Sequence, residues 1–206
     1  MCNLYRMTKG TVEIARLFAV EPELGANFGE EVYPGYPGLV IAEGRARVMT
    51  WGFPLAMTGK RGQPLKPKAV NNAREDKLGT AFWRDSFLRR RCLIPATAWA
   101  EAEGERGRMT RSWHALSGGE PFAVAGIWRP SVEWGHAYAM VMTDGCEQMA
   151  ATHDRMPVVL KQEDWSRWLD GPAERAMPLC CSWEGELEVE RTEDGWSKRR
   201  EPPTLL

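Results

Sequence analysis

The sequence predicts an α+β fold whose core is a mostly antiparallel β-sheet or open barrel with interspersed helices. Two observations support this prediction. Short apolar segments typical of strands recur along the chain, and Gly-containing turns separate several of them as in hairpins. Helical spacing of apolar residues, by contrast, is limited to a few short segments. Many short strands joined by hairpins, with helices between some of them, favour an antiparallel architecture.

The strands are predicted from runs of β-branched, aromatic and other apolar residues at positions 39–42, 45–51, 92–94, 112–116, 122–128, 137–143 and 158–160. The dipeptide Glu43-Gly44 predicts a hairpin between the first two of these strands. Gly118-Gly119 predicts another between the fourth and the fifth. Pro95 is expected to end the third strand, because proline lacks the backbone N–H that a ladder needs.

Helical spacing is found at residues 12–19, 82–90 and 164–169. Thr11 is the predicted cap of the first helix, and Gly171 is expected to end the third. The turn-rich segment 33–38 and the basic segment 60–68 are predicted as loops. We expect a single domain over residues 1–183 and a loose tail over residues 184–206, where the sequence turns acidic, then basic, and ends near two prolines.

Composition excludes several classes of protein. The net charge of −1 gives no overall attraction to nucleic acid or acidic membranes, so a polyanion site needs a local cluster of cations. The five cysteines form no CxxC pair and follow no signal peptide, which predicts a cytoplasmic protein with free thiols. The adjacent Cys180 and Cys181 are interpreted as packing residues. No apolar run is long enough to span a membrane, and neither a metal site nor a cofactor is expected. We expect a monomer.

Cys2 is the residue with the most distinctive chemistry. Its small side chain permits removal of Met1, which would leave Cys2 with a free α-amine and a thiol on adjacent carbons. Reference pKa values of about 8 and about 8.5 leave both groups partly nucleophilic near neutral pH. The amine forms a Schiff base with an aldehyde, and the thiol then closes on the imine to give a thiazolidine. The same pair is also suited to acyl transfer. A cysteine without function near a frayed N-terminus remains the structural alternative.

Four segments place polar residues where the neighbouring sequence is apolar: residues 1–3, 69–76, 91–101 and 152–160. The second contains Asn72, the third ends at Glu101, and the fourth contains His153. Each side chain has a structural alternative, such as a turn for Asn72 or an ion pair with Arg155 for Glu101. Together, a nucleophile, a carboxylate, a histidine and a carboxamide are the inventory of an active site.

The same motifs resemble a known family. Met1-Cys2, Asn72-Ala73-Arg74, the segment 91–96 (RCLIPA) leading to Glu101, and the segment 153–158 (HDRMPV) look, in this order, like the SOS-response-associated peptidase (SRAP) family. The resemblance implies that the protein shields abasic sites in single-stranded DNA by a thiazolidine crosslink through its N-terminal cysteine. It also implies autoproteolytic removal of preceding residues and a strand-cleaving side activity.

The resemblance further implies roles for individual residues. Cys2 is the crosslinking residue, and Asn72 would hold the N-terminus or the opened sugar. Glu101 would act as general acid and base in sugar ring opening and in reversal of the crosslink. His153 would assist Schiff-base formation. These four are the candidate catalytic residues.

Five more positions are candidate DNA contacts by the same resemblance. Arg74 and Arg155 would bind phosphates that flank the lesion. Pro37 would line the DNA groove, and Asn3 would contact DNA beside Cys2. Trp51 would offer a surface for stacking, with packing in the core as its structural alternative. The chain departs from the family where Asn3-Leu4 replaces Gly-Arg, where aromatic residues are absent from segment 54–68, and where Ala102 follows Glu101.

Two other interpretations remain open. A conventional hydrolase would use Cys2 to attack an amide, with His153 as its base. A non-catalytic module would bind single strands through arginines and tryptophans. The first predicts peptide turnover, whereas the second predicts equal affinity for intact and abasic strands and no covalent product.

Overall fold

The protein was analysed as a computed structural model, which describes residues 2–23, 25 and 27–196. Its strands, in chain order, are β1 (Tyr5–Arg6), β2 (Glu21–Pro22), β3 (Glu31–Val32), β4 (Pro37–Ala42), β5 (Arg45–Trp51), β6 (Phe53–Thr58), β7 (Pro64–Val70), β8 (Asn72–Arg74), β9 (Arg91–Ala96), β10 (Ala98–Glu103), β11 (Thr110–Leu116), β12 (Phe122–Ser131), β13 (Gly135–Asp144), β14 (Arg155–Pro157), β15 (Val159–Leu160) and β16 (Leu187–Gly195). The α-helices are α1 (Thr11–Leu17), α2 (Arg84–Arg89), α3 (Trp165–Asp170) and α4 (Ala173–Ala176).

A barrel forms the centre of the fold. Strands β13, β12, β9, β4 and β5 are hydrogen-bonded in that order, and a parallel pairing of β13 with β5 closes the ring. The other four pairings of the ring are antiparallel. The predicted α+β class with a mostly antiparallel sheet or open barrel is therefore confirmed. The barrel is closed by one parallel contact, between β13 and β5, that the sequence pattern does not reveal.

A second sheet contains the N-terminal segment. Its order within the described residues is β16-β11-β10-β1-β3, so that β1 lies inside the sheet between β10 and β3. Tyr5 is opposite Trp99 on one side and Val32 on the other. A two-residue strand is held in place here because it pairs on both sides. Strand β8 pairs in parallel with β13 of the barrel, and the side chain of its first residue, Asn72, donates to the Cys2 carbonyl just before β1.

The core lies inside the barrel and extends to the N-terminus. Trp51, Tyr5 and Tyr138 are fully buried, and the two tyrosine hydroxyls hydrogen-bond to each other at 2.6 Å. Gly38 lies directly against both hydroxyls, where a Cβ atom would overlap them. This close approach explains why β4 has glycine at that position.

Several local predictions were wrong. The tail predicted over residues 184–206 is not loose in its described part, residues 184–196. Strand β16 lies there and pairs along the length of β11. Strand β16 is at the edge of the sheet, and most of its residues are exposed and charged, so the sequence does not show the apolar pattern that predicts a strand. Residues 197–206 of the predicted tail lie outside the described residues.

The hairpin predicted around Gly118-Gly119 does not form, because β11 belongs to the second sheet and β12 to the barrel. Strand β9 continues through Pro95 to Ala96, since a proline removes one donor but keeps its carbonyl acceptor. Segment 60–68 is a loop only at its start, and β7 pairs with β6 as a two-stranded hairpin. An exposed strand of this kind has no buried face, so it lacks the alternation of apolar residues that predicts a strand.

The first helix begins at Thr11 itself, with Gly10 as its N-cap, so the prediction of Thr11 as a cap was wrong by one residue. The predicted hairpin of β4 and β5 around Glu43-Gly44 is confirmed. The helices within the described residues have seven residues or fewer, and none has the length and apolar character of a bilayer-spanning segment.

Candidate active site

The site begins at Cys2, which precedes β1 and is fully buried. Leu4, which lies between Cys2 and β1, is hydrogen-bonded to β10: the Ala100 N–H donates to the Leu4 carbonyl at 2.9 Å. The Cys2 thiol donates to the same carbonyl at 3.4 Å. Burial raises the pKa of the Cys2 thiol above its ordinary value, and the negative charge of Glu101 raises it further. The thiol is therefore protonated at neutral pH and needs a base before it can act as a nucleophile.

Two carboxamides hold the Cys2 backbone. Nδ2 of Asn72 donates to the Cys2 carbonyl at 2.7 Å, and Nδ2 of Asn71 donates to the same oxygen at 2.9 Å. Asn72 is the first residue of β8, which pairs with β13 through Asn72 and Met140. Within the described residues, the Asn72 Oδ1 atom is buried and has no hydrogen-bond partner. A buried acceptor of this kind is costly unless a donor reaches it, so the site offers one acceptor to an incoming group.

Glu101 lies on β10, two residues after Trp99, and is 1% exposed. Burial raises its pKa from 4.5 to about 7, and the charge of Asp154 acts in the same direction. Because the Glu101 charge also acts on the Cys2 thiol, the carboxyl lies close enough to influence the nucleophile. A carboxyl group with a pKa near 7 accepts and donates protons at physiological pH, as a general acid and base must.

His153 lies in the loop between β13 and β14. Its Nδ1 accepts the backbone N–H of Arg155 at 2.9 Å and lies 2.8 Å from the Asp154 carboxylate. Burial lowers the pKa of His153 below its ordinary value. The neutral ring consequently uses Nδ1 as an acceptor and carries its proton on Nε2. In the protonated ring, the Nδ1–H would face Asp154 instead.

A buried histidine anchors the loop that carries His153. The Thr152 hydroxyl is within hydrogen-bonding distance of both the Met149 carbonyl, at 3.0 Å, and Nε2 of His114, at 3.3 Å. His114 is on β11, fully buried and stacked on Trp99. Burial lowers the His114 pKa to about 4, so the ring is neutral at physiological pH.

These observations define a site in which two carboxamides and a carboxyl group with a raised pKa lie around Cys2. A family model described as SOS response associated peptidase (SRAP) matches residues 1–193 of the chain. The chain belongs to the SRAP family. Membership associates it with the SOS response to DNA damage and with a peptidase-like class of enzyme.

Solved structures with a similar fold include three bacterial proteins. One from Bacteroides thetaiotaomicron has a TM-score of 0.77 at 16% identity, covering 92% of this chain and 91% of its own. One from Bordetella bronchiseptica has a TM-score of 0.77 at 22% identity and coverages of 93% and 99%. A phage-related protein from the same organism has a TM-score of 0.69 at 20% identity and coverages of 93% and 94%. At these identities the likeness shows a shared fold alone. A comparison with curated proteins found no match.

The predicted catalytic residues of this SRAP chain lie near one another in two groups. Cys2, Asn72 and Glu101 lie together between the second sheet and β8. His153 is adjacent through Asp154, which contacts its ring and acts electrostatically on Glu101. Their catalytic roles stay predictions.

The predicted DNA contacts of the SRAP chain are less uniform. Asn3 and Pro37 are exposed. Trp51 is fully buried and donates from Nε1 to the Asn71 carbonyl at 3.1 Å, so the prediction that it offers a stacking surface was wrong. Its place opposite Tyr138 in the barrel ladder explains why an apolar aromatic side chain is required there.

The two predicted phosphate-binding arginines have acidic partners. Arg74 forms two hydrogen bonds to the Asp76 carboxylate, at 3.0 and 2.9 Å, and its side chain is 43% exposed. Arg155 contacts Glu75 at 3.2 Å and Asp144 at 3.3 Å, and its side chain is 18% exposed. The alternative of an ion pair between Glu101 and Arg155 is therefore wrong, because Arg155 pairs with Glu75 and Asp144 instead. A phosphate would have to compete with these carboxylates.

The sequence did not single out Asn71, His114 or Asp154. Asn71 is adjacent to Asn72 and of the same residue type, so the pattern gives no reason to separate their roles. His114 lies in a strand with no motif around it. In the described part of the chain, no three His, Cys, Asp or Glu side chains are placed to hold a metal ion. The thiols of the five cysteines are free, and Cys181 is exposed and does not pack as predicted.

Proposed function

We propose that this SRAP protein captures abasic sites in single-stranded DNA as a thiazolidine crosslink through Cys2, after removal of Met1. The observation that carries the proposal is the arrangement around Cys2. Its carbonyl is fixed by Asn71 and Asn72, and its thiol lies within the electrostatic reach of a carboxyl group whose pKa is about 7. An N-terminal 1,2-aminothiol with an adjacent proton carrier is suited to aldehydes, and the opened sugar of an abasic site is an aldehyde.

The proposed reaction has two steps, imine formation and closure of the thiazolidine ring. The α-amine adds to the aldehyde carbon, and the resulting hemiaminal loses water to give an imine. The Cys2 sulfur then bonds to the imine carbon while the nitrogen gains a proton, so that one water leaves overall. Because burial keeps the thiol protonated, the second step needs a base. The Glu101 carboxylate is suited to accept that proton and to return it in reversal.

The other polar groups support the same scheme. The buried Oδ1 of Asn72 is an acceptor for an amine N–H or a sugar hydroxyl. His153, neutral at pH 7, would carry a proton on Nε2 for the carbinolamine step. Cleavage of the strand through the Schiff base would be a side reaction of the same intermediate.

A basic hairpin supports binding to DNA. Residues 53–70, which form β6, β7 and their connection, carry Lys60, Arg61, Lys66 and Lys68 and no acidic residue. This is a local cluster of cations in a chain whose net charge is −1, as a polyanion site requires. Full burial of Cys2 favours substrates whose sugar can leave the helix, so single strands are preferred over duplex.

The proposal is tested by mixing purified protein with an abasic single-stranded oligonucleotide and separating the products on a denaturing gel. Wild type should give a heat-stable adduct that Cys2→Ala abolishes. Cys2→Ser should give at most a weak adduct, since an oxazolidine hydrolyses more readily. Cys181→Ala, which alters an exposed cysteine, is the matched control and should crosslink like wild type. Full crosslinking by Cys2→Ala protein would overturn the proposal, and peptide turnover without an adduct would favour the hydrolase.

A further inference from the structure

The side chain of Asn71 makes contacts that set it apart from an ordinary turn residue. It is 9% exposed, and its Nδ2 donates both to the Cys2 carbonyl at 2.9 Å and to Oδ1 of Asn3 at 3.2 Å. One amide group thus contacts the backbone of the nucleophilic residue and the side chain of the residue after it. Neither partner is close in sequence, so the contact exists only in the folded chain.

The backbone of Asn71 is fixed by the barrel. Its carbonyl accepts from Trp51 Nε1 at 3.1 Å and from the Met140 N–H at 2.9 Å. Trp51 and Met140 are both fully buried. The Asn71 side chain is therefore presented from a rigid position, in contrast to a side chain on an exposed loop.

Asn71 and Asn72 together supply two N–H donors to one oxygen. A carbonyl has two lone pairs, and both are used here. Two donors at this oxygen fix the rotation of the Cys2 backbone. They also withdraw electron density from the carbonyl carbon, which makes the attached α-amine less basic and leaves more of it unprotonated at neutral pH.

We propose that Asn71 is a second positioning residue for the N-terminal nucleophile, acting with Asn72 on the Cys2 carbonyl and holding the Asn3 side chain in place. The assignment concerns the reactivity of the aminothiol itself. It rests on the proposed function only in that Cys2 must become the first residue.

The experiment uses a probe that does not involve DNA. The protein is produced in bacterial cells, whose methionine aminopeptidase acts on the chain during synthesis, and mass spectrometry confirms that Cys2 is the first residue. Its reaction with 2-cyanobenzothiazole, a nitrile that condenses with 1,2-aminothiols, is then followed by mass spectrometry against pH. Asn71→Leu keeps the approximate size of the side chain and removes the donor without adding a charge. Asn27→Leu, at an exposed asparagine, is the matched control for the change of side chain.

We expect Asn71→Leu to slow the reaction about 3- to 10-fold at pH 7, which is the range of a single lost hydrogen bond. The pH at which the rate reaches half of its maximum should move upwards, while Asn27→Leu leaves both values as in wild type. A structural role alone would lower the melting temperature without moving this pH. The titratable side chains around Cys2, namely Glu101, Tyr5 and Asp154, are the same in every variant.

Asn71→Ala is the second variant, and it keeps the test decisive if the leucine destabilises the fold. It removes the same donor, so it should move the pH midpoint of the reaction in the same direction. Wild-type rates and an unmoved pH midpoint in a folded Asn71 variant would overturn the proposal. If the variants slow the probe reaction but the wild-type protein forms no adduct with abasic DNA, the positioning role stands and the proposed substrate fails.

Discussion

Replacement of Glu101 by glutamine should make the protein more stable at neutral pH and less active. The side chain is 1% exposed, and burial raises its pKa from 4.5 to about 7. The folded state therefore binds this proton more tightly than the unfolded chain does. The stability associated with the protonated carboxyl is fully present below pH 4.5 and is lost progressively as the pH rises from there through the folded pKa of about 7.

The size of this effect follows from the two pKa values. The difference between 4.5 and about 7 corresponds to about 3 kcal/mol at about 1.4 kcal/mol per pH unit. Glutamine does not titrate, so Glu101→Gln avoids this loss. Relative to wild type, the variant should gain about 3 kcal/mol in its free energy of unfolding between pH 4.5 and pH 8.

Urea unfolding of both proteins at pH 4.5 and pH 8 measures the gain, because other titrating groups cancel in the difference. The same proteins are compared for the rate of adduct formation with abasic single-stranded DNA. Loss of a general acid and base should slow this rate by about 10²-fold or more. A difference in stability that is the same at both pH values would refute the perturbed carboxyl. A folded variant with the wild-type rate would refute its catalytic role.

Three further predictions concern the surroundings of the site. Gly38→Ala should lower the free energy of unfolding by about 1–3 kcal/mol in urea, because the added methyl group meets the paired tyrosine hydroxyls; an unchanged urea midpoint would contradict that contact. Thr152→Val should slow adduct formation about 3-fold, since the lost hydroxyl links a buried imidazole to the loop that carries His153, and equal rates would show that the link is dispensable. Lys66→Ala should reduce the salt dependence of single-strand affinity, measured by fluorescence anisotropy, by about 0.7 in the log–log slope if this lysine contacts a phosphate.

The proximity of Cys2, Asn72 and Glu101 was easier to predict from the sequence than the environment of residues that pack in the core. Cys2, Asn72 and Glu101 could be grouped from the sequence because each residue type has a reactive or hydrogen-bonding role at the end of an apolar segment. Trp51 was misassigned because an indole ring is equally suited to a core and to a stacking surface. Only the closure of the barrel around it decides between the two.

The errors in the fold have a common physical origin. A strand pattern identifies residues that alternate between two environments, but it does not identify the partner strand. For this reason β11 and β12 were paired with each other, although they belong to different sheets. The exposed strands β7 and β16 were predicted as irregular, because neither has the regularly buried face that the pattern detects.

The interior position of β1 sets an order of events during synthesis. An enzyme that trims the residue before Cys2 needs an accessible, extended N-terminus, whereas Cys2 is fully buried and β1 is enclosed by strands on both sides. One of those strands, β10, ends at Glu103, so the enclosing sheet cannot form before that residue has been made. At ~5–20 residues per second, this leaves about 5–20 s in which the N-terminus is open to processing. The proposed removal of Met1 therefore belongs to the time before this sheet closes around β1.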